Sequence, residues 1–133
     1  MRNAKAKGSK GERELVAFFN ENKWSCLRAA GSGSSKYPCP DILAGNAIRR
    51  LAIECKVTKD RSKYFTKDEI TQLETFSRNF GAESWVGVKF GGEDWYFCMI
   101  EDLKDTGSMY GLKLDVAKMR GLTKEELIEN RKV

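Results

Sequence analysis

The segment from Arg50 to Val57 constrains the fold of this chain most. Side chains of a β-strand point alternately to its two faces. One face of this segment is apolar and carries Leu51, Ile53 and Cys55. The opposite face carries Ala52, Glu54 and Lys56. We therefore predict a strand with one apolar side and a second side on which a carboxylate and an ammonium group are neighbours.

A helix is predicted before this strand, from about Gly11 to Asn22. Its apolar residues, Leu15, Phe18 and Phe19, recur at helical spacing and mark the side that packs on a core. Glu12 precedes Leu15 by three residues, so its carboxylate lies at the inner edge of this apolar face. A carboxylate in that position is unusual for a helix that only faces solvent.

Two short strands are predicted between this helix and the long strand. Residues 24–29 form the first and residues 41–44 the second, and Gly45-Asn46 is a turn signal. A hairpin through this turn pairs the second short strand with the long one. The hairpin therefore brings Asp41 close to the face that carries Glu54.

The second half of the chain adds a helix and two strands. Thr66 and Glu69 have the spacing of a capping box, which predicts the start of a helix. This helix runs to about Phe80, where Gly81 is placed to end it. Further elements are predicted as strands at 84–90 and 95–100 and a terminal helix near 124–130, whereas residues 101–121 are not assigned. The element order predicts an α/β fold with a mixed central β-sheet flanked by α-helices.

The length, net charge and amino-acid composition of the chain limit the functions that it can have. At 133 residues the chain has the size of a single domain, in which residues 1–10 are expected to form a flexible basic arm. Lys and Arg number 24 against 19 Asp and Glu, and the net charge of +5 favours a polyanionic partner such as nucleic acid. The chain contains no histidine, which excludes histidine general bases, Ser-His-Asp triads and imidazole metal sites. Chemistry would have to use carboxylates, lysine, hydroxyls, thiols or a bound metal.

The apolar pattern and the cysteines indicate a cytoplasmic protein with no membrane association. No stretch approaches the roughly 18 continuous apolar residues of a membrane-spanning helix, and no apolar run follows the basic N-terminus as in a secretion signal. The four cysteines contain no pair at the spacing of zinc ribbons or redox motifs. We interpret Cys26, Cys39, Cys55 and Cys98 as reduced thiols, and the last two as buried small hydrophobic residues.

Asp41, Glu54 and Lys56 are the strongest candidates for chemistry. Two carboxylates on paired strands can bind a hard divalent cation and leave positions for water and a phosphate oxygen. A lysine on the same face can stabilise charge that develops on the phosphate, or help to position and deprotonate the attacking water. An acid and a base at this spacing are also common on a solvated strand edge. The position of Asp41 and the inward Glu12 favour the metal site over that alternative.

Five short segments follow one another in an order that is typical of one nuclease family. They are Gly11–Leu15, Arg28–Ser32, Asp41–Asn46, Ala52–Lys59 and Phe76–Gly81. Pro40-Asp41 and Glu54-Cys55-Lys56 match the PD-(D/E)xK signature, with Cys55 where an aliphatic residue is more usual. Together these motifs resemble the archaeal Holliday junction resolvase family over about residues 7–97. Residues 34–39 make the loop before Asp41 longer than the family pattern, and the segment after residue 97 is not diagnostic.

The resemblance implies both a fold and an activity. The fold is restriction-endonuclease-like. The activity is that of a homodimeric endodeoxyribonuclease that resolves four-way (Holliday) DNA junctions by metal-dependent phosphodiester hydrolysis, in homologous recombination and DNA repair. The implied cofactor is Mg2+, with one or two ions per site and Mn2+ as a substitute. The resemblance also implies a nucleoid-associated protein of archaeal or archaeal-virus origin, and it leaves open any contact with a sliding clamp or recombination protein.

The same resemblance implies roles for individual residues in the active site. Glu12, Asp41 and Glu54 correspond to the acidic metal-binding set of the family. Lys56 corresponds to its catalytic lysine. Ser32 lies in a loop that the family uses close to its active site, and we count it with the catalytic residues.

Further residues are implied to contact DNA or a second copy of the chain. Arg13 and Arg28 correspond to arginines that contact DNA phosphates, and Lys89 to a strand lysine of the basic surface. Lys7 and Lys10 lie in the basic arm, which is compatible with phosphate binding. The residues implied in the dimer interface are Phe76 and Phe80. Without the resemblance, these two aromatic residues would be interpreted as helix-packing core.

Two other functions remain open from the sequence. The same metal site could serve a repair or restriction-type nuclease of the PD-(D/E)xK superfamily with a different substrate geometry. The chain could also be a junction-DNA-binding module without catalysis. The complete set of three acids and one lysine argues against the second alternative, because a site that has lost its activity is expected to lose at least one of these charges.

Overall fold

The strand predicted from Arg50 to Val57 is the central strand of a five-stranded sheet. The computed structural model describes residues 4–29 and 36–129. In spatial order the sheet consists of β1 (Ser25–Arg28), β2 (Ile42–Gly45), β3 (Arg50–Val57), β5 (Glu83–Lys89) and β6 (Trp95–Cys98). Strand β3 pairs antiparallel with β2 and parallel with β5, so the sheet is mixed, and this prediction is confirmed.

Helices and a smaller sheet surround the main sheet. The helices are α1 (Ala4–Glu21), α2 (Lys67–Phe80), α3 (Leu114–Arg120) and α4 (Lys124–Glu129). The smaller sheet has the order β4 (Ser62–Thr66), β8 (Met109–Lys113) and β7 (Lys104–Asp105). A short 3-10 helix, Ile100–Asp102, leads from β6 to β7. Within the described part of the chain, these helices are too short or too polar to cross a lipid bilayer.

The main sheet is buried on both faces. On one face, the apolar side chains of β3 pack against α1, in a core that includes Ile53, Cys55, Leu15 and Phe19. On the other face, a second core joins β3 to α2 and β4 and includes Ala52, Phe65, Ile70 and Leu73. Because Glu54 and Lys56 share the face of Ala52, they lie on the α2 side of the sheet.

Both ends of α2 follow from the sequence. Thr66 Oγ1 accepts a hydrogen bond from the Glu69 N–H at 3.0 Å, and the Glu69 carboxylate accepts one from the Thr66 N–H at 2.8 Å. This is a complete capping box. At the other end, Gly81 has a φ of 85° and its N–H donates to the Ser77 carbonyl. Glycine adopts this left-handed conformation without steric cost, so the helix ends here as predicted.

The turn between β2 and β3 is anchored to the rest of the fold. Asn46 Oδ1 accepts hydrogen bonds from the N–H groups of Ile48 and Arg49, which closes the turn. The Arg49 guanidinium donates to both carboxylate oxygens of Glu83 on β5, at 2.8 and 2.9 Å, and to the Leu127 carbonyl of α4 at 2.8 Å. The hairpin that carries Asp41 toward Glu54 is therefore held in one register.

The structure departs from the predictions at the N-terminus and in the second sheet. Helix α1 begins at Ala4 rather than near Gly11, so residues 4–10, which were expected to be a flexible arm, continue the helix. Strand β4 was not predicted, because among its five residues only Phe65 is buried. Strands β7 and β8 and helix α3 occupy the region that the sequence left unassigned. The terminal helix is confirmed as α4.

The cysteines agree with their interpretation as small hydrophobic residues. Cys55 and Cys98 are buried, and all four cysteines are free thiols in the structure. Burial raises the pKa of Cys26 to about 12, and it also raises the pKa of the Cys55 thiol well above its ordinary value. Thiols with such pKa values stay protonated at neutral pH, so they contribute to packing and not to nucleophilic chemistry.

Candidate active site

Asp41 and Glu54 meet at the start of the β2–β3 hairpin. The Asp41 N–H donates to the Ile53 carbonyl at 3.1 Å, and Asp41 Oδ2 accepts a hydrogen bond from the Cys55 N–H at 2.8 Å. Asp41 is thus bound to the residues on both sides of Glu54. The Glu54 carboxyl group also forms a side-chain hydrogen bond with Asp41. The hairpin that was predicted from the turn signal therefore brings these two carboxyl groups into contact.

The contact between the two carboxyl groups changes their protonation. Burial raises the pKa of Glu54 to about 9, and the negative charges of Asp41 and Glu69 add to this effect, while Lys56 opposes it. At neutral pH the carboxyl group of Glu54 is consequently protonated when no cation is bound. A divalent cation between the two groups would replace this proton. The donor set, two carboxyl groups in a partly buried position, fits a hard oxygen-binding cation such as Mg2+.

Lys56 lies on the same face as Glu54 and is held by α2. Its Nζ is 2.7 Å from Glu69 Oε2, and the exposed fractions of the two side chains are 26% and 28%. The ammonium group also lies 5.9 Å from the centre of the Phe65 ring. The sequence predicted that Lys56 faces the site. It did not identify Glu69 as a neighbour, because the capping box already explained that glutamate.

Glu12 approaches the site from α1, on the opposite side of the sheet. Its Oε1 accepts a hydrogen bond from Arg28 Nε at 2.7 Å, and Arg28 Nη2 donates to Ser9 Oγ at 2.8 Å. Burial raises the pKa of Glu12, the Arg28 hydrogen bond lowers it, and the charge of Asp41 raises it again, with a net increase. The carboxylate of Glu12 is therefore near Asp41 but paired with an arginine. That Glu12 and Arg28 come together was not visible in the sequence.

The predicted set of three acidic metal ligands is only partly assembled. Across residues 4–29 and 36–129, no group of three or more acidic or cysteine side chains is arranged to hold a metal ion. In the structure Asp41 lies beside Glu54, whereas the Glu12 carboxylate forms an ion pair with Arg28. The metal set of Glu12, Asp41 and Glu54 remains a prediction, for which the first of these would have to leave its arginine.

Of the residues predicted to bind DNA, Arg28 is paired with Glu12, and three others lie on α1 and at the end of β5. Arg13 and Lys10 are exposed on α1. Lys89, at the end of β5, lies 3.4 Å from Glu14. An open cleft beyond the end of β3 has these lining residues among others: Lys10, Lys59, Lys63, Lys89, Glu14, Asp60 and Glu93. The predicted Ser32 lies outside the described residues, as does the side chain of Lys7, so neither can be placed relative to this cleft.

The aromatic residues predicted for a dimer interface border a half-exposed apolar surface. Phe76 and Phe80 of α2 stack with their ring centres 5.2 Å apart, and Phe80 is 48% exposed. Leu27 of β1 pairs with Leu43 of β2, and Leu43 pairs with Ala52, so both leucines lie on the α2 side of the sheet. Leu27 is 58% exposed. We call Leu27, Leu43, Phe76 and Phe80 the apolar edge surface.

The fold and the site together define a class of protein. A mixed sheet between helices carries Glu-x-Lys on one strand of a hairpin, and a proline-aspartate pair directly precedes the other strand, with Asp41 beside Glu54. This is the arrangement of the restriction-endonuclease-like PD-(D/E)xK nucleases, as the sequence motifs indicated.

Comparison with known proteins gives the family within that class. The archaeal Holliday junction resolvase (Hjc) family profile matches residues 3–133, so the chain belongs to this family. The crossover junction endodeoxyribonuclease Hjc of Archaeoglobus fulgidus is 40% identical over 124 residues, which cover 88% of this chain and 91% of that protein. The Hjc of Sulfolobus acidocaldarius is 31% identical over 127 residues, or 93% of this chain and 87% of that protein.

A solved structure shows the same fold. The structure of A. fulgidus Hjc, described as a Holliday junction resolvase from an archaeal hyperthermophile, superimposes with a TM-score of 0.84 at 37% sequence identity. The match covers 91% of this chain and 98% of that one. The predicted fold class is therefore confirmed.

Proposed function

We propose that this protein is an endodeoxyribonuclease that resolves four-way DNA junctions by hydrolysing phosphodiester bonds with Mg2+ as cofactor. The observation that carries this proposal is the contact between Asp41 and Glu54, with Lys56 on the same face. Relatives named crossover junction endodeoxyribonuclease cover most of the chain and support the choice of substrate. Such an activity would serve homologous recombination and DNA repair.

Asp41, Glu54 and Lys56 would have different roles in the reaction. Asp41 and Glu54 would hold the cation, which supplies polarisation of the phosphate and activation of the attacking water. Glu54 would first give up its proton, because a carboxylate binds the cation more strongly than a carboxylic acid does. Lys56 would stabilise the additional negative charge on the phosphate as the bond to the attacking oxygen forms.

Arg28 fits a role at the phosphate backbone near the cleaved bond. Its guanidinium is held at the sheet edge by Glu12 and by Ser9 Oγ, and it is only partly exposed. An arginine in a fixed orientation can bind a phosphate with two parallel hydrogen bonds. When Arg28 binds a phosphate, Glu12 becomes available as a third carboxylate beside Asp41. The predicted roles of Arg28 as a DNA contact and of Glu12 as a metal ligand are thus compatible with their ion pair in the free protein.

A synthetic four-way junction tests the substrate and the cofactor together. With Mg2+ the purified protein should cut the junction at paired positions, and with a chelator instead of Mg2+ cutting should stop while the junction still binds. Linear duplex and flap DNA of the same sequence should be cut at least about tenfold more slowly. Equal cutting of all three DNAs would favour the repair or restriction-type nuclease, and binding without any cutting in Mg2+ or Mn2+ would favour the non-catalytic module.

We further propose a homodimer that forms through the apolar edge surface. A four-way junction has two equivalent strands to cut, and a two-fold dimer presents two identical sites to them. Because Phe80 is 48% exposed in the single chain and continues the apolar residues of the sheet edge, it is the natural centre of this contact. The wild-type protein should sediment as a dimer at micromolar concentration.

Phe80→Asp should convert this dimer to a monomer, because an unpaired carboxylate would be buried in an apolar contact. The matched control is Met119→Asp, which changes a side chain that is 70% exposed on α3, outside the apolar edge surface. The control should remain a dimer in the same sedimentation experiment. A monomeric wild-type protein, or a dimeric Phe80→Asp protein, would contradict the proposed interface.

A further inference from the structure

The lysine of the proposed active site is held by a carboxylate that the predicted site does not include. Lys56 Nζ lies 2.7 Å from Glu69 Oε2, and both side chains are about three-quarters buried, at 26% and 28% exposure. A lysine side chain without a fixed partner samples many rotamers, and ordering it has a cost in conformational entropy. A short ion pair to a rigid partner selects one position for the ammonium group before substrate arrives.

Glu69 is such a rigid partner, because its second oxygen belongs to the capping box of α2. Glu69 Oε1 accepts the Thr66 N–H at 2.8 Å, and the Glu69 N–H donates to Thr66 Oγ1 at 3.0 Å. The next residue, Ile70, is buried at 1% exposure in the core between α2 and the sheet. The backbone of Glu69 is thereby fixed relative to β3, and one oxygen of its carboxylate is left to receive Lys56.

We propose that Glu69 is a positioning residue for the nuclease reaction, which holds the Lys56 ammonium group on the side of β3 where Asp41 and Glu54 meet. The inference rests on the proposed function, because it requires Lys56 to act on the phosphodiester. One carboxylate then does two things: it starts α2 and it orients the lysine. A group that is oriented in advance stabilises the transition state without further ordering at the moment of reaction.

Glu69→Gln separates these two tasks. Glutamine also completes a capping box, because its amide oxygen accepts the Thr66 N–H. Its amide nitrogen is a donor only and cannot receive the Lys56 ammonium. With junction DNA and saturating enzyme, the single-turnover cleavage rate should fall roughly 10- to 100-fold. The junction Kd in chelator and the melting temperature should stay close to the wild-type values.

The second capping box of the chain provides a matched control. Glu126 Oε1 accepts the Thr123 N–H at 2.9 Å, and the Glu126 N–H donates to Thr123 Oγ1 at 3.1 Å, at the start of α4. Glu126→Gln makes the same chemical change in the same motif on a different helix. This variant should cleave at the wild-type rate. If it is slowed as much as Glu69→Gln, the loss reflects capping and the proposal is overturned.

A measurement that does not depend on cleavage reports on the position of Lys56 itself. In the wild-type protein, 15N relaxation of the Lys56 ammonium group should show restricted motion, and Glu69→Gln should release it. Unchanged restriction in the variant would overturn the proposal, because another group would then hold the lysine. Lys36 and Lys104, which are exposed, serve as mobile references in the same spectra.

Lys56→Ala, measured in parallel, distinguishes failure of the inference from failure of the proposed function. Loss of cleavage in Lys56→Ala together with slowed cleavage in Glu69→Gln supports the proposal. Loss in Lys56→Ala with a wild-type or faster rate in Glu69→Gln overturns the inference and leaves the function standing. Normal cleavage by Lys56→Ala overturns both, because the lysine would then have no part in the reaction.

Discussion

Glu54→Gln should abolish junction cleavage and leave junction binding intact. The amide has the shape of the protonated carboxyl group and can donate a hydrogen bond to Asp41 in the same way. It cannot lose a proton, so the site offers the divalent cation one carboxylate instead of two and binds it more weakly. We expect the cleavage rate in Mg2+ to fall by on the order of 1000-fold or more, because the cation supplies much of the stabilisation of the transition state.

Binding of the junction should survive this change for an electrostatic reason. The raised pKa of Glu54, about 9, keeps its carboxyl group protonated at neutral pH when no cation is bound. In chelator the substitution therefore replaces one neutral group by another. The Kd for the junction, measured by fluorescence anisotropy, should remain within about twofold of the wild-type value.

The matched control for Glu54→Gln is a glutamate outside the proposed site. Glu125→Gln changes an exposed carboxylate on α4 and should cleave and bind as the wild-type protein does. Substantial cleavage by Glu54→Gln would show that the contact between Asp41 and Glu54 is not the catalytic centre. A large loss of binding in chelator would instead show that Glu54 is ionised or structural in the metal-free protein.

The proximity of Asp41, Glu54 and Lys56 could be predicted from the sequence because it depends on local periodicity. Alternation along one strand places Glu54 and Lys56 on the same face, and the turn at Gly45-Asn46 sets the strand that brings Asp41 to them. Both signals lie within about twenty residues of each other in the sequence. The capping box at Thr66 was equally local, and it fixed the start of α2 correctly.

The contacts that tie the site to its surroundings were not predictable in this way. The pairing of Glu12 with Arg28 depends on how α1 packs against β1, and the pairing of Lys56 with Glu69 depends on how α2 packs against β3. Each of these charged residues also has an ordinary explanation as a surface group. Sequence periodicity tells which side of an element a residue faces, but it does not tell which residue of another element lies opposite.

The second sheet was missed for a related reason. Strand β4 pairs with β8, from which it is separated in the chain by α2, β5, β6, the short 3-10 helix and β7. Its residues Ser62–Thr66 are mostly polar, and β7 is only two residues long. Strands this short are specified by their partners more than by their own composition.

The predicted start of helix α1 lies too late in the chain. The first turns of the helix are rich in lysine, contain Gly8 and carry no apolar stripe, so the hydrophobic pattern did not include them.

Glu54→Gln should also stabilise the metal-free protein, increasingly so as the pH rises. The pKa of Glu54 is about 9 in the folded protein, against an ordinary value of 4.5, and burial is the main cause. Between these two values the folded chain holds a proton that the unfolded chain has released. Raising the pH through this window therefore favours unfolding, by up to about 1.4 kcal/mol per pH unit. Below the window both states are protonated and this cost is absent.

Urea unfolding in chelator measures this effect. From about pH 5.5 to about pH 7.5, the free energy of unfolding of the wild-type protein should fall relative to Glu54→Gln by about 2–3 kcal/mol. Other ionisable groups are common to both proteins, so their contributions largely cancel in the difference. Addition of Mg2+ should remove most of the difference by stabilising only the wild-type protein, because cation binding displaces the proton of Glu54. Parallel pH profiles for the two proteins would show that Glu54 is ionised in the folded state. The raised pKa of Glu54, on which the proposed exchange of its proton for a cation depends, would then be absent.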